Sequence, residues 1–269
     1  MPKFPFRLNT QTVVLLTVIA LWIFLGFKSP TFLGKENIQN IMVQMAIQGV
    51  IGVGAVVIIL TGGIDLSVGS MVGFTNIVFA LMLAKHGVSL SVAVPAVLLI
   101  SAAIGLINGA LVHDLRLPPF IATLGMMTIL RGVTLVISNG SNVFGLPRSL
   151  SEMANSNFQG IPYLFLILIV VVVVVESILR RTSFGRYTYA LGSNREAARL
   201  SGVDTRMVTY GVYMLGGLLG GIAGVMETSR LWMGVPTTGS MFELDAIAAA
   251  VLGGASLAGA EGNAIAAFT

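Results

Sequence analysis

The side chains able to do chemistry are few in this apolar chain, and they gather most densely in Ala55–Gly73, AVVIILTGGIDLSVGSMVG. An apolar run is cut by Thr61, Gly62 and Gly63. A lone carboxylate, Asp65, follows, and Ser67, Gly69 and Ser70 lead into the next apolar run. A charge in or beside hydrocarbon costs roughly 2.5–3.5 kcal/mol on insertion scales, so it ordinarily has a function. A glycine-broken helix in a membrane protein lines a cavity or a protein interior, because lipid cannot satisfy freed backbone groups. Thr61, Gly62, Gly63, Asp65 and Ser67 are therefore candidates for a solute pathway. The same residues suit a short loop whose aspartate caps the following helix, and the two readings are compatible.

Other polar residues inside apolar runs are Gln44, Gln48, Asn76, Asn108, Thr123, Thr128 and Arg131. Uncharged groups of this kind suit hydrogen bonding to a neutral, hydroxyl-rich solute. Each of them equally suits a polar contact between helices. Asn76 and Asn108 join the pathway candidates. Arg131 lies in the outer half of its run, within snorkelling distance of the surface, and calls for an acid or a backbone carbonyl as partner.

Several chemistries are excluded. The chain has no cysteine, so disulfides, thiol catalysis and cysteine metal sites are impossible. Two histidines, His86 and His113, are too few for a histidine-rich metal site. There is no GxxxxGK[ST] phosphate loop, and the GxG of Gly52, Val53 and Gly54 lies within an apolar run with no phosphate-loop pattern after it. No catalytic constellation is visible, and no cofactor is expected.

The elements that hold these residues follow from composition. Hydrophobic residues make up 55% of the chain and charged residues 10%, where a soluble domain carries roughly 25% charged. The reading is an all-α, polytopic transmembrane helical bundle with broken or re-entrant helices, formed as one domain over residues 1–269. The net charge of +4 then concerns topology rather than nucleic acid. Eight apolar segments are expected: Thr12–Phe27, Ile38–Leu60, Leu66–Ala84, Leu90–Val112, Phe120–Ser138, Ile161–Leu179, Val208–Met226 and Asp245–Ala260. The first follows Lys3 and Arg7 as a signal peptide would, but ends in Leu25, Gly26, Phe27 and Lys28 without a small-x-small cleavage site, and reads as a retained span.

Arg180, Arg181, Arg186, Arg195, Arg199 and Arg206 share one connection, which the positive-inside rule places in the cytoplasm. Counting back puts Arg116 and the N-terminus inside and Asn139–Gly160 outside. Lys28, Lys35 and Lys85 mildly oppose this scheme. Within the basic connection, Asn194 can cap a short helix, Arg195–Leu200, that Gly202 ends. Such a long, structured connection reads as a docking element for a cytoplasmic partner. In the seventh segment Gly216, Gly217, Gly220, Gly221 and Gly224 form a strip that lets helix backbones approach closely. The last segment, with Gly253 and Gly254 at its middle, suits a broken helix inside the bundle. The chain then stops in apolar residues, as though truncated within a further span.

Four blocks together resemble the permease subunits of the ribose-type monosaccharide ABC importers, a group that also includes arabinose, xylose, galactose and autoinducer-2 permeases. They are Thr61–Gly69 (TGGIDLSVG), Pro119–Gly132 (PFIATLGMMTILRG), Gly185–Asp204 (GRYTYALGSNREAARLSGVD) and Glu243–Gly262 (ELDAIAAAVLGGASLAGAEG). One departure is Ala260, where the family commonly has glycine. The resemblance implies ATP-driven import of a sugar or sugar-like solute across the bacterial inner membrane. It implies a second permease copy, identical or related, a periplasmic sugar-binding protein, and a separate cytoplasmic ATPase subunit that hydrolyses the ATP. Asn194, Arg195, Glu196, Ala197, Ala198, Arg199, Leu200 and Gly202 would then form the coupling helix. Ala197, Ala198 and Leu200 are expected to fill the ATPase groove, with Arg195, Glu196 and Arg199 as its polar rim. The competing readings are an ion-coupled secondary transporter with a broken-helix site at Asp65 and a membrane assembly protein without a pathway.

Overall fold

The computed structural model describes residues 10–267, with side chains from 12 to 265. Lys3 and Arg7 lie outside the described residues. In chain order the elements are α1 (Thr10–Lys28), α2 (Lys35–Ile59), α3 (Val68–Ala84), α4 (Leu90–His113), α5 (Pro119–Ser138) and α6 (Arg148–Asn155). A hairpin of β1 (Asn157–Phe158) and β2 (Ile161–Pro162) comes next. The chain continues through α7 (Tyr163–Arg181), α8 (Ser183–Ser193), α9 (Arg195–Leu200), α10 (Thr205–Leu231) and α11 (Phe242–Leu252) to a short 3-10 turn at Ala264–Ala267.

Helices α2, α4, α5, α7 and α10 are long and apolar enough to cross a bilayer, while α1 and α3 are shorter apolar helices. Seven expected segments are thus helical. The eighth is helical only to Leu252 and then turns at Gly253 and Gly254, which has φ +105°. The expected boundaries miss the amphipathic α6 and α8, which lie in connections, and the hairpin, whose second strand takes the first two residues of the sixth expected segment.

Helix α10 is the hub, packed against α4, α3 and α2, while α7 and α11 flank α2 and α5 lies on α3. The glycine strip makes this possible by facing three helices at once. A Cβ at Gly216 would meet Ile58 of α2, one at Gly217 or Gly221 would meet Ser101 of α4, and one at Gly220 or Gly224 would meet Met71 or Thr75 of α3. The tightest crossing between α4 and α10 is at Gly105, where a Cβ would stand 2.2 Å from the Tyr213 carbonyl oxygen. Van der Waals contact of this kind replaces the hydrophobic drive that is missing between helices in lipid. Helix α2 is buried on all sides from Ala46 to Ile59 apart from Gln48, as expected of a helix apolar all round at the centre of a bundle. The outer faces of α4, α5 and α7 are apolar and exposed, Leu99, Val136 and Val170 among them, and suit lipid or another protein.

Candidate functional site

The first centre is the break between α2 and α3. Helix α2 ends as Thr61 Oγ1 donates to the Ile58 carbonyl at 2.7 Å. Gly62 adopts φ +73°, a left-handed turn that favours glycine. Gly63 lies under the Tyr213 hydroxyl, 2.8 Å from where a Cβ would stand. Asp65 is 7% exposed. Its Oδ1 accepts from the Ser67 backbone N–H at 2.7 Å and from Ser67 Oγ at 2.6 Å. Ser67 Oγ in turn accepts from Asn108 Nδ2 of α4 at 2.9 Å. Asn108, Ser67 and Asp65 therefore form a directed relay of hydrogen bonds that ends on the carboxylate. Because Ser67 immediately precedes α3, the carboxylate sits at the positive end of that helix. Thr123 of α5 closes the loop from its other side, accepting from Leu66 N–H at 3.1 Å and donating to the Pro119 carbonyl at 2.9 Å.

Thr61, Gly62, Gly63, Asp65, Ser67 and Asn108 thus come together, and the structure adds Thr123 and Tyr213. Asn76 does not join them. It lies about 13 Å further along α3. There its amide donates to Thr228 Oγ1 at 2.8 Å and to the Met233 carbonyl at 3.2 Å, and accepts from Val235 N–H at 2.6 Å. These bonds pin the chain leaving α10 and engage both ends of the amide within the chain. Arg131 meets a carbonyl, donating from Nη1 to Thr238 at 2.7 Å, with the acid Glu243 also attracting it.

Gly253 and Gly254 belong to a second break, and the two breaks meet. Ala260 N–H donates to the Leu60 carbonyl at 2.9 Å. A Cβ at Gly259 would stand 3.1 Å from the Gly62 nitrogen. Gly192, in the last turn of α8, covers the junction so closely that a Cβ there would be 1.9 Å from the Leu60 oxygen. Ala260, the one departure from the family pattern, has φ +62°, a conformation that costs a non-glycine residue roughly 1–2 kcal/mol.

The second centre is α9. Asn194 Oδ1 accepts from Ala197 N–H at 2.9 Å, and Gly202 turns the chain with φ +82°. Asp204 then caps α10, accepting from the N–H groups of Arg206 and Met207 at 3.0 Å each. Arg195, Glu196, Ala197, Arg199 and Leu200 are exposed, with Leu200 at 75%. Ala198 differs from expectation. It is 6% exposed and faces its own chain, which leaves little of it open to a partner's groove. A six-residue helix lying on a protein surface must turn one side inward, and Ala198 is on that side.

Helix α9 and the turn between α4 and α5 frame a cleft of about 960 Å³ whose walls include Arg116, Arg195 and Arg199. Asp114 bolts that turn to the start of α10. It accepts from the Tyr210 hydroxyl and from Arg206 Nη2, the latter at 2.8 Å, beside His113. The Tyr210 hydrogen bond first, then His113 and Arg206, lower the Asp114 carboxyl from 3.8 to about 2.

Five helices among the described residues are long and apolar enough to cross a bilayer and, with the two broken segments, define a polytopic membrane protein. The chain belongs to the family described as branched-chain amino acid transport system / permease component, which matches residues 37–268. It is 41% identical over 264 residues to the ribose import permease protein RbsC of Escherichia coli K12, covering 93% of this chain and 78% of that one. RbsC of Bacillus subtilis is 41% identical over 250 residues, 92% and 77% of the two chains. The autoinducer 2 import system permease protein LsrC of Salmonella typhi is 35% identical over 260 residues, 97% and 75%. No solved structure gives a significant match. The chain is accordingly the transmembrane subunit of an ABC importer and not its catalytic subunit, and the ion-coupled reading falls away.

Proposed function

We propose that residues 1–269 act as one permease domain that passes a monosaccharide or similar solute inward across the inner membrane. A separate ATPase subunit drives it, a periplasmic binding protein supplies it, and a second permease copy completes the pathway. Ribose import by the named relatives supports the choice of solute. The N-terminus, the α4–α5 turn and α9 face the cytoplasm, while α6 and the hairpin face outward.

One observation carries the mechanism. Helix α9, where the ATPase would dock, follows directly from α8, and Gly192 of α8 rests on the Leu60 carbonyl at the junction of the two breaks. A push on α9 is therefore delivered to Thr61, Gly62 and Gly63, and through the loop to Asp65. Buried contacts of backbone on backbone yield little, so the displacement reaches the loop rather than being absorbed. The Asp65–Ser67–Asn108 relay holds the start of α3 and fixes the loop against α4 as it moves.

The test is reconstitution of the full chain with its ATPase and binding protein in liposomes, measuring uptake of labelled ribose. ATP-dependent uptake indifferent to ionophores is expected. Uptake without ATP, collapsed by an ionophore, overturns the reading. Orientation is tested by single cysteines in the cysteine-free chain. Asn155→Cys should react with an impermeant maleimide added outside and Ser193→Cys should not, and the reverse pattern inverts the topology.

A further inference from the structure

At the end of the molecule away from α9 lies a cavity of about 440 Å³ between the start of α2, the end of α6 and the β1–β2 hairpin. The full length of α10, about 40 Å, separates the two ends. We propose that this cavity is a binding site for a neutral polyhydroxylated solute, separate from the break at Asp65. Its volume lies in the range of small-molecule sites, about 300–1,000 Å³.

The hydrogen-bonding inventory of the walls selects the ligand class. Asn155 spends its Nδ2 on the Ser151 carbonyl at 2.9 Å, which leaves Oδ1 to accept. Asn157 spends its Oδ1 on Gly160 N–H at 3.1 Å, which leaves Nδ2 to donate. Glu36 adds acceptors, and Asn40, one helical turn on, adds both kinds. Acceptors and donors thus share one small space. A hydroxyl group both donates and accepts at a single atom, so a polyol answers such an array where a purely anionic or cationic ligand leaves half of it unmet. Val43, Ala154 and Pro162 supply an apolar patch for the C–H face of a sugar ring.

The cavity is also built in advance. Gln39 Nε2 donates to the Gly160 carbonyl at 2.9 Å and ties the hairpin to α2. Arg230 lines the wall, but its Nη1 is turned to the buried Glu227 carboxylate at 3.4 Å. Its charge is therefore answered from within, and Glu36 disfavours an incoming carboxylate, so a zwitterionic amino acid fits less well than a polyol. Among the described residues no aromatic ring lines the cavity. Without a stacking platform the solute is held by hydrogen bonds alone, which suits brief holding. Naming the solute as a sugar rests on the import reading above, whereas the site itself does not.

The experiment uses the purified full chain in lipid nanodiscs without ATPase or binding protein, with tritiated D-ribose as probe and L-leucine as comparator. Saturable ribose binding is expected, weakened roughly tenfold by Asn157→Leu and by Glu36→Ala, as befits loss of one or two hydrogen bonds. In a second measurement, ribose should slow maleimide labelling of Ser156→Cys, a near-isosteric change on the cavity wall. Absence of saturation, unchanged binding in both variants, no protection of Ser156→Cys, or saturation by leucine in place of ribose overturns the site. Any of these results leaves ATP-driven ribose uptake by the complete assembly intact, so failure here is distinct from failure of the import reading.

Discussion

Leu200→Ser separates a docking helix from an ordinary connector. Leu200 is 75% exposed at the end of α9, whereas Ala198 beside it is 6% exposed. Burying a whole leucine side chain contributes about 1.5–3 kcal/mol. If an ATPase groove covers the exposed three-quarters, removing it costs about 1–2 kcal/mol of association, or roughly 5–30-fold in affinity. The permease itself should lose less than about 0.5 kcal/mol, because the side chain touches little of its own chain. The assay titrates the ATPase subunit onto nanodisc-embedded permease by biolayer interferometry, with thermal unfolding of the permease measured in parallel. Ala198→Trp serves as contrast. It overfills the chain's own packing, at about 1–3 kcal/mol, and should lower the permease melting temperature before any partner is added. Unchanged ATPase affinity in Leu200→Ser would remove Leu200 from the interface. Equal affinity after bulky substitution at each of Ala197, Arg199 and Leu200 would refute docking at α9 altogether.

Three further outcomes are expected. Asp65→Asn keeps an acceptor for Ser67; the weaker neutral bonds, about 1 kcal/mol each, are offset by relief of a buried charge. It should therefore fold yet import poorly, whereas Asp65→Ala should also lose about 1–3 kcal/mol of stability as Ser67 goes unanswered; normal uptake by both variants would clear Asp65 of any part in transport. Gly105→Ala sets a Cβ 2.2 Å from the Tyr213 carbonyl oxygen, forces α4 and α10 apart and should lower the melting temperature by several degrees, while Gly125→Ala, with nothing within 4 Å, should not. Ala260→Gly relieves a left-handed alanine and should raise stability by about 1 kcal/mol, read as a higher melting temperature, with Ala260→Val moving it down.

Features written in adjacent residues were legible in the sequence. The spans follow from apolar length, and the break at Thr61–Gly63 from a glycine pair within such a run. Helix α9 follows from a capping asparagine, six helical residues and a terminating glycine. Each signal is local, and the local backbone alone satisfies it. What the sequence could not supply was the rotation of each helix. In lipid a central helix is apolar on all sides, so no polar stripe marks which face turns inward, and for α9 six residues are too few to show a phase. Only tertiary structure therefore decided that Ala198 faces its own chain and that Asn76 pins Val235 rather than joining Asp65. It alone brought Tyr213 over Gly63, and set Gly192 on Leu60 where two glycine breaks, some 200 residues apart, close on one another. These pairings rest on the close approach of sequence-distant backbones, a property of the packed bundle that no short stretch of residues contains.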